Sequence, residues 1–383
     1  MWRCLQTQKL RKCKVSSWGT INVLETMYNI EDFERCAPAL LDTITREYIW
    51  SGSGNQQTLW ENKNAYKRFW IKKKVLRGIT NYSLETTVLG QKIGFPVGIA
   101  PTAGHTIYHP EGDQGTAKGA ARMGAAMTLN AVSHTSLEDI AASAPPGALL
   151  WMHTYIFPER DTLIDLVKRA EKAGYKALVV TIDEPFAYEI KCNARHRFFT
   201  EKEIQTVFPN IKAGTDFLTV DPRVTFNDIT WLSRITKLPI IVKGIMTGED
   251  AKMAVAAGAS AIYVSNHGGR ELDGSLPTIE ALPEIVAAVS SYPSIEVYVD
   301  GGIRSGYDVF KAIALGARAV FIGRPALWGL TMGGADGVAK VLNILRQEFT
   351  EAMIHAGFTN PRQITSSSLV KNACQNPFGV MCI

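Results

Sequence analysis

The fold class this sequence predicts is α/β: a closed (β/α)8 or TIM barrel preceded by an N-terminal helical and irregular extension. Two observations carry the prediction. From about residue 95 onward one phrase occurs eight times: a short β-branched apolar run, a turn rich in glycine or polar residues, then an amphipathic segment of helical period. Each apolar run is also nearly continuous, as a parallel strand covered on both faces requires.

In order, the strands are expected at Phe95 to Ala100, Ala126 to Asn130, Ala148 to Tyr155, Lys176 to Asp183, Pro239 to Ile245, Ala261 to Asn266, Glu296 to Gly301 and Ala319 to Gly323. Thr247-Gly248-Glu249-Asp250 and Ser305-Gly306-Tyr307-Asp308 read as helix starts. Gly174, Gly258 and Gly316 read as left-handed helix ends. A last helix over 338–355 sets Val341, Leu342, Leu345, Phe349 and Met353 along one stripe, so it should cover the barrel. Ahead of the barrel, residues 25–50 read as helical and 51–90 as an irregular lid with Trp60, Tyr66 and Trp70, capping the bottom or one flank. Residues 198–227 make a connection long enough to be a lid over a site. The expected organisation is thus a disordered basic tail (1–24) and one barrel domain (25–383) whose cap spans 25–94.

Composition narrows the function. The chain has 383 residues, 46% apolar and 20% charged, and no stretch approaches a membrane span. A net charge of +5 over this length, without aromatic-interleaved basic clusters, argues against a nucleic-acid groove and for a small anionic ligand. Cys4, Cys13, Cys36, Cys192, Cys374 and Cys382 show no metal-knuckle or redox spacing and are expected as free thiols. Arg3, Lys9, Arg11, Lys12 and Lys14 precede the first acidic residue, Glu25, a pattern similar to a transit peptide but read here as a basic tail. The final Met381-Cys382-Ile383 does not match the S-K-L peroxisomal address.

In such a barrel the turns after strands seven and eight commonly hold a phosphate. Here the seventh reads Val299-Asp300-Gly301-Gly302-Ile303-Arg304-Ser305-Gly306 and the eighth Phe321-Ile322-Gly323-Arg324-Pro325. Gly301, Gly302 and Gly323 would let backbone approach phosphate oxygens, the helix after the seventh turn would offer its amides, and Arg304 and Arg324 would add charge-assisted hydrogen bonds. Asp300 suits a ribityl hydroxyl. At the end of strand six, Ser265-Asn266-His267-Gly268-Gly269-Arg270 offers a base and, three residues on, a fork for a carboxylate. Asp183, ending strand four, would hold the imidazolium formed.

These residues carry a resemblance. From about Tyr48 to Val370 the chain is similar to the flavin-dependent 2-hydroxy acid oxidase and dehydrogenase family, which includes glycolate oxidase and the animal hydroxyacid oxidases. Its specific parts are S-N-H-G-G-R, V-D-G-G-I-R-S-G, F-I-G-R-P, I-V-K-G-I at 241–245, and A-P-T-A followed by H-P-E-G within 100–112. The resemblance implies FMN as cofactor and His267 as the base that removes the α-proton, with Asp183 as its partner. It implies Lys243 beside the flavin, where fixed positive charge favours the reduced ring, and Tyr48, Tyr155 and Arg270 around the substrate. Thr102, Ala103, Thr181 and Ser265 match positions contacting the flavin ring. A small (S)-2-hydroxy acid, oxygen or another electron acceptor, tetrameric self-association and a peroxisomal location follow from the same likeness. The C-terminus leaves a cytoplasmic location as the alternative.

The departures from the family pattern cluster at the site. After Asp183-Glu184-Pro185, Ile190 stands where the family has a second carboxylate-binding arginine, with Lys191 beside it. Losing a charge-assisted hydrogen bond of about 1.5 to 3 kcal/mol would lower efficiency roughly tenfold to a hundredfold. Asn130 replaces a serine near the flavin, His153 a flavin-contacting glutamine, Val132 a tryptophan over the substrate, and Gly104 a methionine. The smaller Val132 and Gly104 should admit a substrate bulkier than glycolate. Three readings follow: an active 2-hydroxy acid oxidase; an FMN-binding paralogue whose activity is weak or lost; and a barrel acting on phosphate-bearing metabolites without flavin.

Overall fold

A computed structural model describes residues 23–184, 208–212, 215 and 221–372. Helices α1 (Ile30–Cys36), α2 (Thr43–Trp50) and α3 (Gln57–Asn64) come first, then β1 (Phe69–Ile71) and a hairpin of β2 (Thr86–Val88) and β3 (Gln91–Ile93). Residues 51–90 are therefore less irregular than expected, since they hold α3, β1 and β2. Tyr66 is buried, but Trp60 and Trp70 are exposed. Cys36, buried at the end of α1, is disulfide-bonded rather than the free thiol expected; the other five cysteines lie outside the described residues.

Eight strands follow: β4 (Val97–Ile99), β5 (Ala126–Leu129), β6 (Leu149–Thr154), β7 (Leu178–Thr181), β8 (Ile240–Ile245), β9 (Ala261–Val264), β10 (Glu296–Val299) and β11 (Ala319–Ile322). They close into one barrel whose neighbours are consecutive in sequence, β11 pairing in parallel with β4. Each lies within its predicted run, and all but β8, which ends at the predicted Ile245, stop one or two residues short of the predicted C-terminal end, so the residues that follow are free to turn into the mouth. Between them run α4 (His105–Tyr108), α5 (Gly112–Arg122), α6 (Leu137–Ser143), α7 (Arg160–Ala173), α8 (Phe226–Ile235), α9 (Gly248–Ala256), α10 (Thr278–Ala288), α11 (Gly306–Ala314) and α12 (Arg324–His355). The predicted caps form: Thr247 and Ser305 side chains accept from Asp250 and Asp308 amides, and Gly174 ends α7 at φ 87°. A kink at Gly333 and Gly334 divides α12, and its second part buries the predicted stripe from Val341 to Met353. A final β12 (Leu369–Lys371) pairs with β1.

The barrel's two ends differ chemically. Its lower interior is filled by Trp151, Tyr263, Tyr298 and Phe321, with ring centroids 5.1 to 6.4 Å apart along their contacts. Val88 and Ile93 of the β2–β3 hairpin pack onto this cluster from below, and the Leu89 amide donates to Glu296 at the start of β10. The pre-barrel segment thus works at both ends. Its hairpin plugs the bottom, while α2 and α3 reach the top, where Ser53 N donates to Gly269 O at 3.0 Å. The top interior is polar, with His153, Thr181, Lys243, Ser265 and Asp300 all buried. The predicted lid over 198–227 lies mostly outside the described residues, though Thr225 and Asp228 cap α8 with a capping box.

Candidate active site

Three side chains from neighbouring strand ends meet at the mouth. Asp183, just past β7, accepts from His267 Nδ1 at 2.9 Å through one carboxylate oxygen, and its other oxygen lies 3.7 Å from Lys243 Nζ. Lys243 reaches this point because β8 bulges between Lys243 and Ile245. The intervening Gly244, at φ 110°, has no Cβ, and one built there would sit 2.6 Å from Asp183 Cβ. His267 itself holds φ 55°, a left-handed conformation that costs a non-glycine residue on the order of 1–3 kcal/mol. Its amide donates to Ser265 Oγ at 3.1 Å, fixing the turn that carries the ring.

The charges reinforce one another. Burial opposes ionisation of Asp183, yet Lys243 and His267 bring its carboxyl down to about 2, so it is an acceptor throughout the physiological range. Burial and Lys243 work against a charged His267 ring, but Asp183, its hydrogen bond and Glu271 together hold the pKa above the ordinary value. Because Asp183 only accepts, His267 Nδ1 carries the proton in this pair and Nε2 is left for chemistry. Glu271 went unremarked in the sequence although it follows Arg270. With Glu184 it sets two carboxylates around His267, one ligand atom of each residue lying within 4.8 Å of the others. Burial pushes Glu271 up to about 7, against the pull of His267.

The expected substrate contacts assemble beside this pair. Arg270 stacks over the Tyr48 ring at 4.6 Å, and its Nη1 donates to the Tyr48 carbonyl at 2.9 Å. Burial, then the carboxylates of Glu184, Asp183 and Glu271, push the Tyr155 phenol well above its ordinary pKa, so it remains a donor. Tyr155 meets His153 edge-on at 4.8 Å. His153 pairs through Nε2 with Thr181 Oγ1 at 2.9 Å, and burial, then Lys243, keep its ring neutral. Asn130 Oδ1 accepts from the Val132 amide at 2.8 Å, so Asn130 shapes the turn that presents Val132. Gly104 caps α4 at φ 68°, where an added Cβ would meet Ile107 Cδ1 at 3.3 Å. A backbone requirement accounts for this glycine, so Val132 is the substitution that bears on pocket size. Ile190 and Lys191 lie outside the described residues.

The anion cradle is built differently from the sequence expectation. The Arg304, Gly306 and Asp308 amides at the start of α11 are taken by Asp308, Glu348 and Ser305 respectively. Gly301 and Gly302 owe their small size to protein neighbours. A Cβ on Gly301 would press on Thr278, and one on Gly302 would overlap the Asn62 carbonyl of α3. The start of α12 is the open one: its N-cap Gly323 makes no side-chain cap, and a Cβ there would touch only Thr102 Cγ2, at 3.4 Å. Arg324 donates to the carbonyls of Ile49, Ser51 and Gly268, and Arg304 stacks on Trp328 at 4.8 Å, with Glu34 3.4 Å away. Burial, then repulsion from Arg270 and Arg304, bring Arg324 down to about 9. This cluster of like charges beside an uncapped helix start calls for an anion. Asp300 Oδ1 and His153 Nδ1 are buried without hydrogen-bond partners among the described residues, as donors and acceptors awaiting a polar ligand would be. A phosphate-bearing polyol with a polar ring system fits these features.

Sequence comparison agrees with this geometry. The model of the FMN-dependent dehydrogenase family matches residues 37–371, and the chain belongs to that family, with FMN as its cofactor. The chain is 39% identical to mouse 2-hydroxyacid oxidase 1 over 91% of its length and 98% of that protein's. It is likewise 39% identical to glycolate oxidase of Spinacia oleracea, covering 89% of this chain and 95% of that one. A mandelate oxidase variant solved with (S)-mandelic acid superposes with a TM-score of 0.81 at 38% identity, covering 90% of this chain and 98% of its own.

Proposed function

We propose that this chain oxidises an (S)-2-hydroxy acid to the 2-oxo acid, the electrons passing by way of FMN to oxygen and giving hydrogen peroxide. One observation carries the reading: His267 and Lys243 converge on the two oxygens of the Asp183 carboxylate at the barrel mouth. An α-proton beside a carboxylate is weakly acidic, so the site must supply a base, cancel the carboxylate charge and accept two electrons. FMN supplies the last of these. His267 Nε2 takes the proton, and the ionised Asp183 holds the resulting imidazolium. Arg270, backed by Tyr48, receives the substrate carboxylate, and the Tyr155 phenol donates to the substrate's oxygens. Lys243 adds fixed positive charge where electron density arrives. Thr102, Ala103, Asn130, His153, Thr181 and Ser265 would face the ring, with Asp300 on the ribityl chain. Arg304, Arg324 and Gly323 would take the phosphate, with Gly301 and Gly302 shaping the turn beside it.

With Ile190 in place of a second arginine, Arg270 is the principal anchor, and half-buried Val132 leaves room for a side chain beyond that of glycolate. The mandelate oxidase relative, solved with a substrate bearing a phenyl ring, supports the larger pocket. Self-association and a peroxisomal location belong to the same reading, checked by sedimentation and by imaging of the tagged full chain. The deciding experiment is anaerobic addition of 2-hydroxy acids to the purified yellow protein. Bleaching of the visible band is expected, fastest with longer or aromatic side chains. A yellow protein that no 2-hydroxy acid bleaches would overturn the oxidase reading, and faster reduction by glycolate would overturn the larger pocket.

A further inference from the structure

Behind the cofactor-facing wall lies a buried relay that the chemistry above leaves unused. His105, the first residue of α4, and Asp113, in α5, are each 1% exposed. His105 Nε2 lies 2.6 Å from Thr102 Oγ1, and Nδ1 lies 2.9 Å from Thr116 Oγ1 and 3.4 Å from Asp113 Oδ1. Asp113 Oδ2 accepts from the Ser133 hydroxyl at 2.7 Å, and Oδ1 has no hydrogen-bond partner among the described residues. The arrangement is hydroxyl, imidazole, carboxylate, running from Thr102, just past the end of β4, to Asp113 in α5.

Donor and acceptor accounting fixes its polarity. The Thr116 hydroxyl has the Gly112 carbonyl in reach at 3.5 Å, and donating there leaves it lone pairs toward His105. Asp113, as a carboxylate, offers lone pairs too. The proton between them therefore belongs to His105 Nδ1, and the carboxylate holds that tautomer. Nε2 is then an acceptor, and the Thr102 O–H must donate to it. A Thr102 hydroxyl committed in this way has only lone pairs left to offer a ligand, while its Cγ2 methyl lies against Gly323 at the anion site.

We propose that His105 and Asp113 are positioning residues that lock Thr102 as a hydrogen-bond acceptor toward the flavin ring, and so favour the reduced cofactor. This rests on the reading above that Thr102 faces the ring. Oxidised flavin presents a bare ring nitrogen that becomes an N–H on two-electron reduction. An oriented acceptor stabilises the N–H form, whereas a freely rotating hydroxyl serves both forms.

The test measures the midpoint potential of bound FMN by dye equilibration, a readout independent of turnover. H105L/D113N removes the acceptor without leaving a lone buried carboxylate. It should shift the oxidised-to-reduced equilibrium at least tenfold toward the oxidised form, about 30 mV for a two-electron couple. H105Q, whose amide oxygen can still accept from Thr102, should restore most of that shift and also serves as the milder variant for folding. In a T102V background the H105L/D113N pair should add nothing, because the group it acts through is gone. An unchanged potential in H105L/D113N with FMN bound, or an equal shift in the T102V background, overturns the relay. Wild-type protein that takes up no FMN would instead overturn the cofactor site itself, and the relay with it.

Discussion

At the scale of single residues, the site depends on how Asp183 divides its carboxylate between His267 and Lys243. A base must be unprotonated to act, and the His267 pKa lies above its ordinary value. The kcat/KM profile should therefore rise with pH through an apparent pKa above about 6.5 and flatten beyond it. Asp183→Asn removes the anion that raises this pKa, so the rising limb should move to lower pH. kcat should fall by about a hundredfold, within the roughly 10²–10⁴-fold such groups supply. An unmoved limb in D183N would show that another group titrates. Glu271 adds to the same field and is itself brought up to about 7, so its proton and that of His267 come off as a coupled pair. Glu271→Gln should draw the two apparent steps into one, displaced to lower pH, without the large loss of kcat expected for D183N. Val132 belongs to this scale too. V132W should cut turnover of aromatic 2-hydroxy acids about tenfold or more while sparing glycolate, read as the ratio of the two kcat/KM values.

At the scale of elements, the cap and the base-bearing turn are one assembly. Asn62 of α3 and Asn266 exchange amide hydrogen bonds of 2.8 and 2.9 Å, and Asp273 accepts from the amides of Asn55 and Thr58. The turn that carries His267 in a strained conformation is thus held from above by residues more than two hundred positions earlier. Gly302 sits against the same helix, where any side chain would overlap Asn62. Gly302→Ala should destabilise the protein by about 2–5 kcal/mol, adding roughly 1–3 for overpacking to roughly 1–2 for an alanine in the left-handed region. Denaturant unfolding measures it, and a change under about 0.5 kcal/mol would show that the cap yields freely. The anion site follows a similar logic. Carboxylates of the protein already occupy the start of α11, so the site for an added anion lies at the start of α12, where Arg324 donates only to backbone carbonyls among the described residues.

At the scale of the molecule, the polar mouth above an aromatic interior gathers Arg270, Arg304 and Arg324, with Glu34 beside Arg304, and a bound anion would relieve their repulsion. FMN at a hundred times its Kd should add about 2.7 kcal/mol to stability, seen as a rise in the thermal midpoint of cofactor-stripped protein. Inorganic phosphate should give a smaller rise at the same site, and Arg304→Met should diminish both. A midpoint indifferent to phosphate would move the anion site away from Arg304 and Arg324.

The barrel itself was legible in the sequence, because continuous apolar runs alternating with capped helices express local period and propensity, which do not depend on distant residues. His267, Asp183 and the two arginine turns could be picked out because each lies at the end of a predicted strand, whereas Lys243, inside its strand, was marked by the family resemblance. What the sequence did not disclose depends on contacts across the chain: the division of the cap between bottom and top, and the Asn62–Asn266 clasp behind Gly302. The same holds for the filled start of α11, the turn of Glu271 back toward His267, and the His105–Asp113 relay beneath Thr102. In each of these the partner is set by which strand ends the closed barrel brings side by side, and a residue's field, donors and free space exist only once those neighbours are in place.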